Sequence, residues 1–174
     1  EFKMGLAADY AVSMGGRELR VVVILNPNAG HGRAADDEAE AVRALTNLGV
    51  DFDLVKTLRP GDAVSLARWA AEQGCDVVCA MGGDGTVNEV INGIAGTGAA
   101  LAVIPVGTGN DFANALGVPK GDVSAACRVL ARGNRRPMDL CRVNDRYFAS
   151  SFGAGFDARV TKAANERFKR LGGI

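Results

Sequence analysis

The chain has 174 residues, 48% of them apolar, enough for one domain of ordinary size and a short remainder. Its 20 basic and 20 acidic side chains cancel, so the broad positive field that nucleic-acid binding draws on is missing and nucleic acid is not an expected partner. Apolar runs such as Val21 to Leu25 fall far short of the ~20 residues that cross a bilayer. A single histidine, His31, and cysteines at Cys75, Cys79, Cys127 and Cys141 lack the spacing of a zinc site or a disulfide framework. Cys75 and Cys79, on one face of an apolar segment, read as small buried residues of a reduced protein.

Residues 1–17 show no basic-then-apolar leader pattern and are set aside as an N-terminal tail or an added remnant. Leu19 to Pro27 (LRVVVILNP) is a continuous β-branched run, the pattern of a strand buried on both faces of a parallel sheet. Ala34 to Leu48 follows with Glu38, Ala41, Val42, Leu45 and Leu48 at helical spacing, and Gly49 is placed to end that helix. Val50 to Thr57 reads as a second strand, and Gly61 to Gly74 as a second helix with Ala63, Leu66, Ala67 and Ala70 inward. Cys75 to Met81 is the third strand, Thr86 to Ala95 the third helix with Val87, Val90, Ile91 and Ile94 inward, and Ala100 to Val106 the fourth strand. Two further helices are expected at Asp111 to Leu116 and Asp122 to Ala131. This alternation predicts an α/β fold over residues 18–137: three layers, a mostly parallel sheet with helices on both faces. Ligands of such sheets lie at the carboxyl ends of the strands, so the joins NPNAGHG, MGGDGT and PVGTGND should gather on one rim.

After Pro137 the pattern changes. Met138 to Asn144 and Arg146 to Phe156 read as a hairpin turning near Asn144 and Asp145, and Ala158 to Leu171 as an amphipathic helix with Val160, Ala164, Phe168 and Leu171 inward. A lone two-stranded hairpin is marginal in water and leaves open edges. Residues 138–174 are therefore expected to begin a second, β-rich domain that continues past Ile174, and the open edges make a homodimer an expectation to test. The basic residues of the last helix, Arg159, Lys162, Arg167, Lys169 and Arg170, read as a solvated face, with contact to anionic lipid as the alternative.

Glycine after a strand lets successive backbone N–H groups face one point, and the following helix adds its positive end, so phosphate is the natural guest of these loops. The lysine-bearing pattern G-x-x-x-x-G-K-[ST] does not occur. Gly30 to Ala35 fits G-x-G-x-x-A, but the acid that would hold a ribose at the end of the second strand is replaced by Lys56 and Thr57, with Asp51 and Asp53 at its start, which disfavours a dinucleotide-dependent dehydrogenase. Bland readings stand beside these. Asp84 or Thr86 would cap the third helix, Asp111 the fourth, and Glu89 would favour the helix dipole from the first turn. His31 has no orienting carboxylate and is given no acid–base role; Arg33 and Lys56 either lend charge to phosphates or are solvated.

Asn26-Pro27, the run Gly82-Gly83-Asp84-Gly85-Thr86 followed by Asn88-Glu89, and the run Pro105-Val106-Gly107-Thr108-Gly109-Asn110-Asp111 together resemble the catalytic domain of diacylglycerol kinases and related lipid kinases, from about Leu19 to Gly155. More distantly the chain is similar to NAD kinases and 6-phosphofructokinases; the second glycine run points to the lipid branch. The resemblance implies a kinase of cytoplasmic location, peripheral at the inner membrane surface. It would use ATP and Mg2+ to move the γ-phosphate of ATP onto a lipid hydroxyl such as that of diacylglycerol. It implies further that Asn26, Pro27, Asn28, Ala29 and Gly30, with Thr57, line the adenosine and phosphate side of ATP. Gly82, Gly83, Asp84, Gly85, Thr86, Val87, Asn88 and Glu89 would wrap the triphosphate, and Thr108 would touch the nucleotide from the next loop. Asp84 and Asp111 would be the catalytic pair, holding magnesium directly or through water. Ala29 stands where the family often has serine, so one side-chain hydrogen bond to phosphate is lost or passes to the backbone. The base that deprotonates the lipid hydroxyl is expected from the second domain, so this chain is expected to bind ATP–Mg without being a competent kinase. The alternatives are a kinase of a soluble acceptor such as NAD or a sugar phosphate, and a non-catalytic nucleotide-binding fragment.

Overall fold

The computed structural model of the chain describes residues 13–14, 17–30 and 33–149. A two-residue antiparallel ladder, β1 (Ser13–Met14) with β2 (Arg17–Glu18), precedes the main sheet. That sheet is built from β3 (Val21–Leu25), β4 (Phe52–Lys56), β5 (Val77–Gly82) and β6 (Ala100–Pro105), all parallel, in the order β4-β3-β5-β6. The two central strands are those the sequence marks as continuous apolar runs, and every residue of both is buried. In register, Val23 lies between Leu54 and Cys79, and Gly82 at the end of β5 pairs with Pro105.

Helices α1 (Ala34–Asn47), α2 (Asp62–Glu72) and α3 (Asp84–Ile94) join the successive strands, and α4 (Asp111–Leu116) and α5 (Val123–Ala131) follow β6. The chain steps outward from β3 to β4 and then reverses across β3 to β5 and β6. With right-handed crossovers that reversal puts α1 on one face and α2 with α3 on the other, and the packing agrees: α1 lies against α5, α2 against α3. The reversal is also a topological switch point, which opens a crevice between the ends of β3 and β5. The joins that leave those two strands are the NPNAG and GGDGT segments.

The expected elements form with shifted ends. The third strand starts at Val77 and runs through Gly82, and the third helix begins at Asp84, two residues before the expected Thr86. Gly49 and Gly74 follow α1 and α2 at φ 65° and 77°, closing both helices as expected. One inward assignment fails: Val42 is 37% exposed. The sheet-facing stripe of α1 is Asp37, Ala41 and Leu45, with Val42 one step around the helix on the solvent side. The C-terminal hairpin is β7 (Cys141–Val143) and β8 (Arg146–Phe148), turning through Asn144 at φ 51° and Asp145. The rest of the expected second hairpin strand and the helix at 158–171 lie outside the described residues. Among the described residues no helix is long and apolar enough to cross a membrane.

Candidate functional site

The rim is assembled from the strand ends. Past the end of β3 the Asn26 N–H still donates to the Met81 carbonyl (3.0 Å), which keeps Asn26 beside β5. Its side-chain Oδ1 accepts the Asn28 N–H (3.0 Å) and turns the loop, while Nδ2 donates to Thr86 Oγ1 (3.1 Å) in the first turn of α3. Thr86, 5% exposed, folds back over Gly82; a side chain on Gly82 would put its Cβ 2.6 Å from the Thr86 Cβ. Steric exclusion, rather than backbone freedom, therefore explains the glycine that ends β5. Beyond Asn26 the loop arches to Gly30, at φ 76°, where a Cβ would strike the Val106 carbonyl. The first loop thus spans the end of β5 and reaches the loop after β6.

The second and third loops meet backbone to backbone. A Cβ on Gly107 would collide with the Gly83 Cα and stand 3.0 Å from the Gly83 nitrogen, so position 107 must be glycine for the loops to touch, whereas a Cβ on Gly83 would meet the Gly107 Cα at an ordinary 3.4 Å. Asn110, buried and at φ 58°, holds the Gly107 peptide from both sides: Oδ1 accepts its N–H (3.1 Å) and Nδ2 donates to its carbonyl (2.6 Å). Asparagine is among the few side chains that enter this region readily. Asp84 links the two loops a second time. Its Oδ1 accepts the Phe112 N–H (3.0 Å) in the first turn of α4, and Oδ2 turns toward Gly109. Asp84 and Asp111, each the first residue of its helix, are therefore neighbours at one rim.

The capping readings need correction. Asp84 does cap a helix, but that helix is α4, and Thr86 spends its hydroxyl on Asn26. Glu89 accepts the Gly61 N–H (3.0 Å) and the Ala63 N–H (3.3 Å), so it caps α2 rather than serving the dipole of its own helix. The N-cap of α4 is Asn110, not Asp111, and it makes no capping bond from its side chain. Helix α3 itself starts from Gly83 with no side-chain cap. Its second residue, Gly85, is exposed, and a Cβ there would meet nothing within 4 Å. The first turn of α3 consequently presents backbone N–H groups and a positive helix end to open space.

That open space continues into a cleft of about 570 Å3. Asp84, Gly85, Val87, Asn88 and Ile91 form one wall with Phe112, and the hairpin, from Val143 to Ala149, lines the other side. Asn92 fastens the hairpin to α3: its Nδ2 donates to the Tyr147 carbonyl (2.9 Å) and to the Asn88 carbonyl (2.8 Å), and its Oδ1 accepts the Tyr147 N–H (2.9 Å). Among the residues singled out from the sequence, Asn26, Gly82, Gly83, Asp84, Gly85, Thr86, Thr108 and Asp111 come together on the three joined loops. Thr57, buried at the end of β4, and Thr108, after β6, are three strand spacings apart, about 14 Å, so they cannot grip the same phosphate. The sequence assigns no role to Asn92, Arg146 or Tyr147, and marks Asn110 only as a member of its glycine run. Only Asn110 carried a usable sign, as an asparagine in a glycine-rich turn.

No group of three or more His, Cys, Asp or Glu side chains lies together among the described residues. The buried thiols of Cys79 and Cys127 do not offer an alternative chemistry. Burial pushes Cys127 up to about 12 and Cys79 higher still, so both stay protonated at neutral pH and neither acts as nucleophile or metal ligand.

The family of diacylglycerol kinase catalytic domains matches residues 20–143. A diacylglycerol kinase of Bacillus subtilis (strain 168) is 36% identical over 154 residues, which is 87% of this chain and 51% of that protein. A probable lipid kinase, YegS-like, of Klebsiella pneumoniae (strain 342) is 37% identical over 157 residues, 88% of this chain and 52% of its own length. Among solved structures, that of a diacylglycerol kinase from Bacillus anthracis str. Sterne superposes with a TM-score of 0.68 at 32% identity, covering 74% of this chain and 45% of that one. The chain spans about half the length of the curated relatives it matches.

Proposed function

Since the chain belongs to the diacylglycerol kinase catalytic domain family, we propose that it is the nucleotide-binding part of a lipid kinase, one that transfers the γ-phosphate of ATP to the hydroxyl of a lipid such as diacylglycerol. In this reading residues 18–137 bind ATP, residues 138–174 begin a β-rich domain on the lipid side, and the protein works at the inner membrane surface. The observation that carries it is the contact between the Gly83 and Gly107 backbones, which brings the uncapped start of α3, with Asp84, to the same rim as the start of α4, with Asp111.

Each part of that arrangement has a use in phosphoryl transfer, which depends on positioning and charge neutralisation more than on covalent chemistry. The N–H groups of the first turn of α3 receive the phosphates, and Gly85 leaves room for them to approach the backbone. The Phe112 N–H holds the Asp84 carboxylate in one orientation. A magnesium ion suits these donors, because it takes one or two carboxylates and fills its remaining positions with phosphate oxygens and water. When bound, the ion spreads the charge that builds on the transferred group. Ile91, Phe112 and Phe148 give the adjoining cleft apolar walls that exclude water from the acceptor side.

The test has two arms. Calorimetric titration of this chain should show ATP binding that strengthens when magnesium is added. Radiolabelled ATP, given to the protein expressed from its complete reading frame with mixed micelles of diacylglycerol and with NAD, should label the lipid. Label in NAD instead would overturn the lipid acceptor, and failure of the chain to bind ATP would overturn the nucleotide reading.

A further inference from the structure

Asn26 to Gly30, Gly82 to Asn88 and Val106 to Asp111 hold no lysine or arginine; the cations nearest to these loops are Arg33, at the start of α1, and Lys120, whose Nζ donates to the Gly109 carbonyl (3.5 Å). Amides and a metal can neutralise part of the charge on a transferring phosphoryl group, but kinases commonly set an arginine or lysine against it as well. The cleft supplies one such group. Arg146, the first residue of β8, is the one cationic residue among the described residues that line the cleft with Asp84 and Gly85. It is exposed, and among the described residues no acid lies within ion-pair range of it. Its hairpin neighbour differs: the Arg142 guanidinium donates to Asp145 (2.8 Å) and to the Asn144 carbonyl (2.7 Å) and lies over the Tyr147 ring.

The backbone that bears Arg146 is held in place. Asn92 clasps both polar groups of the next residue, Tyr147, and donates to the Asn88 carbonyl on its own helix. Asn92 lies eight residues along the helix that begins at Asp84, about 12 Å of rise. One rigid element therefore carries the candidate metal ligand at its start and the clasp for the cationic strand farther along. We infer that Arg146 binds the phosphate group that enters or leaves this cleft, and that Asn92 is the residue that positions it. The inference rests on the reading of the cleft as the place of phosphoryl transfer. Its ligand chemistry is a terminal phosphate, two of whose tetrahedrally arranged oxygens the planar arginine fork meets with two hydrogen bonds. Two sources offer that chemistry: the γ-phosphate of ATP and the phosphate of a phosphorylated lipid.

The experiment compares the wild-type chain with Arg146→Ala, Arg146→Lys, Asn92→Ala and a surface control, Arg135→Ala. Binding of ATP–Mg, ADP–Mg and phosphatidate-containing micelles is measured for each. Loss of one charged hydrogen-bond donor corresponds to roughly a tenfold loss of affinity. With the γ-phosphate as ligand, Arg146→Ala binds ATP–Mg about tenfold more weakly and ADP–Mg as before. With the lipid phosphate as ligand, phosphatidate binding falls by the same factor and both nucleotides hold. In either case Arg146→Lys recovers part of the loss. Asn92→Ala loses affinity for the same ligand while its Tyr147 amide exchanges faster with solvent, a link that a merely structural role for Asn92 would not produce. Unchanged affinity of Arg146→Ala for all three ligands overturns the assignment, as does an equal loss in Arg135→Ala. A wild-type chain that binds neither nucleotide nor phosphatidate sinks the kinase reading and this inference together, whereas intact wild-type binding with an indifferent Arg146→Ala sinks the inference alone.

Discussion

Replacing Asp84 by asparagine separates the capping bond that the structure shows for that carboxylate from the metal binding proposed for it. Asparagine keeps an Oδ1 able to accept the Phe112 N–H, a bond of 3.0 Å, and is as good a cap as aspartate. What it loses is negative charge at a helix start, worth about 0.3–1 kcal/mol. At about 2–4 °C per kcal/mol for a chain of this size, the melting temperature should fall by about 4 °C at most. Asp84→Ala goes further, because it leaves the N–H of Phe112, itself 4% exposed, without a partner and adds about 1–3 kcal/mol. Binding should separate from stability. A residue that merely supports a metal ligand changes metal affinity by about 10–100-fold, so loss of a ligand itself should cost at least about a hundredfold. Both variants should therefore lose the magnesium-dependent part of ATP binding while binding magnesium-free ATP as before. Calorimetry with and without magnesium, paired with thermal melts, measures both effects. The reasoning is refuted if Asp84→Asn keeps the magnesium-dependent increment, or if it melts as low as Asp84→Ala with ATP–Mg affinity per folded molecule intact.

Gly85→Ala should move stability and binding in opposite directions. A Cβ there meets nothing within 4 Å, so helix propensity gives a gain of about 0.5–1 kcal/mol, whereas a methyl group in the path of a phosphate should weaken ATP–Mg binding by roughly tenfold or more; melts and titrations of one preparation read both. Gly107→Ala should destabilise by about 1–3 kcal/mol in chemical unfolding, because its Cβ would sit 2.9 Å from Asn110 Oδ1 and against the Gly83 backbone. Of the four thiols only Cys141 is exposed, so a disulfide reagent should take up one fast equivalent from the native chain and the remainder on unfolding. The buried thiols also set an alkaline limit. Burial raises Cys127 from 9.0 to about 12, so the unfolded chain loses that proton first; stability is full below pH 9 and declines as pH climbs toward 12. Urea melts at pH 8 and pH 10 should register the decline, with a smaller one in Cys127→Ala.

The sheet and its helices were legible because their signals are local. Val21 to Leu25 and Val77 to Gly82 are apolar throughout, and burial on both faces leaves such strands no other composition. The rim was legible for the same reason: each glycine run sits directly between a strand and a helix. What escaped was every side chain that serves a distant segment. Asp84 accepts from Phe112, 28 residues on, Glu89 from Gly61, 28 residues back, and Glu40 from Ser124 across 84 residues. A capping rule applied to the nearest helix misassigns Asp84 and Glu89, because the packing that brings a foreign helix start within reach is a tertiary property. Asn92 is the same case. Its position on α3 marks nothing unusual until the hairpin lies alongside and offers it a peptide to clasp. Val42 fails in the opposite sense, since helical spacing alone admits two adjacent faces of α1, and it is tertiary packing, against α5 among others, that buries the one bearing Ala41 and Leu45.

The central claim is that the chain holds ATP–Mg at the start of α3, between the loops that Gly83 and Gly107 bring into contact. Two-dimensional amide spectra of the isotope-labelled chain, recorded during titration with ATP–Mg, test it most directly. The largest shifts should fall on Gly82 to Asn88 and on Gly107 to Phe112, and they should lose their magnesium dependence in Asp84→Asn. Saturating ATP–Mg that leaves those amides in place, or shifts centred elsewhere on the chain, would contradict that claim.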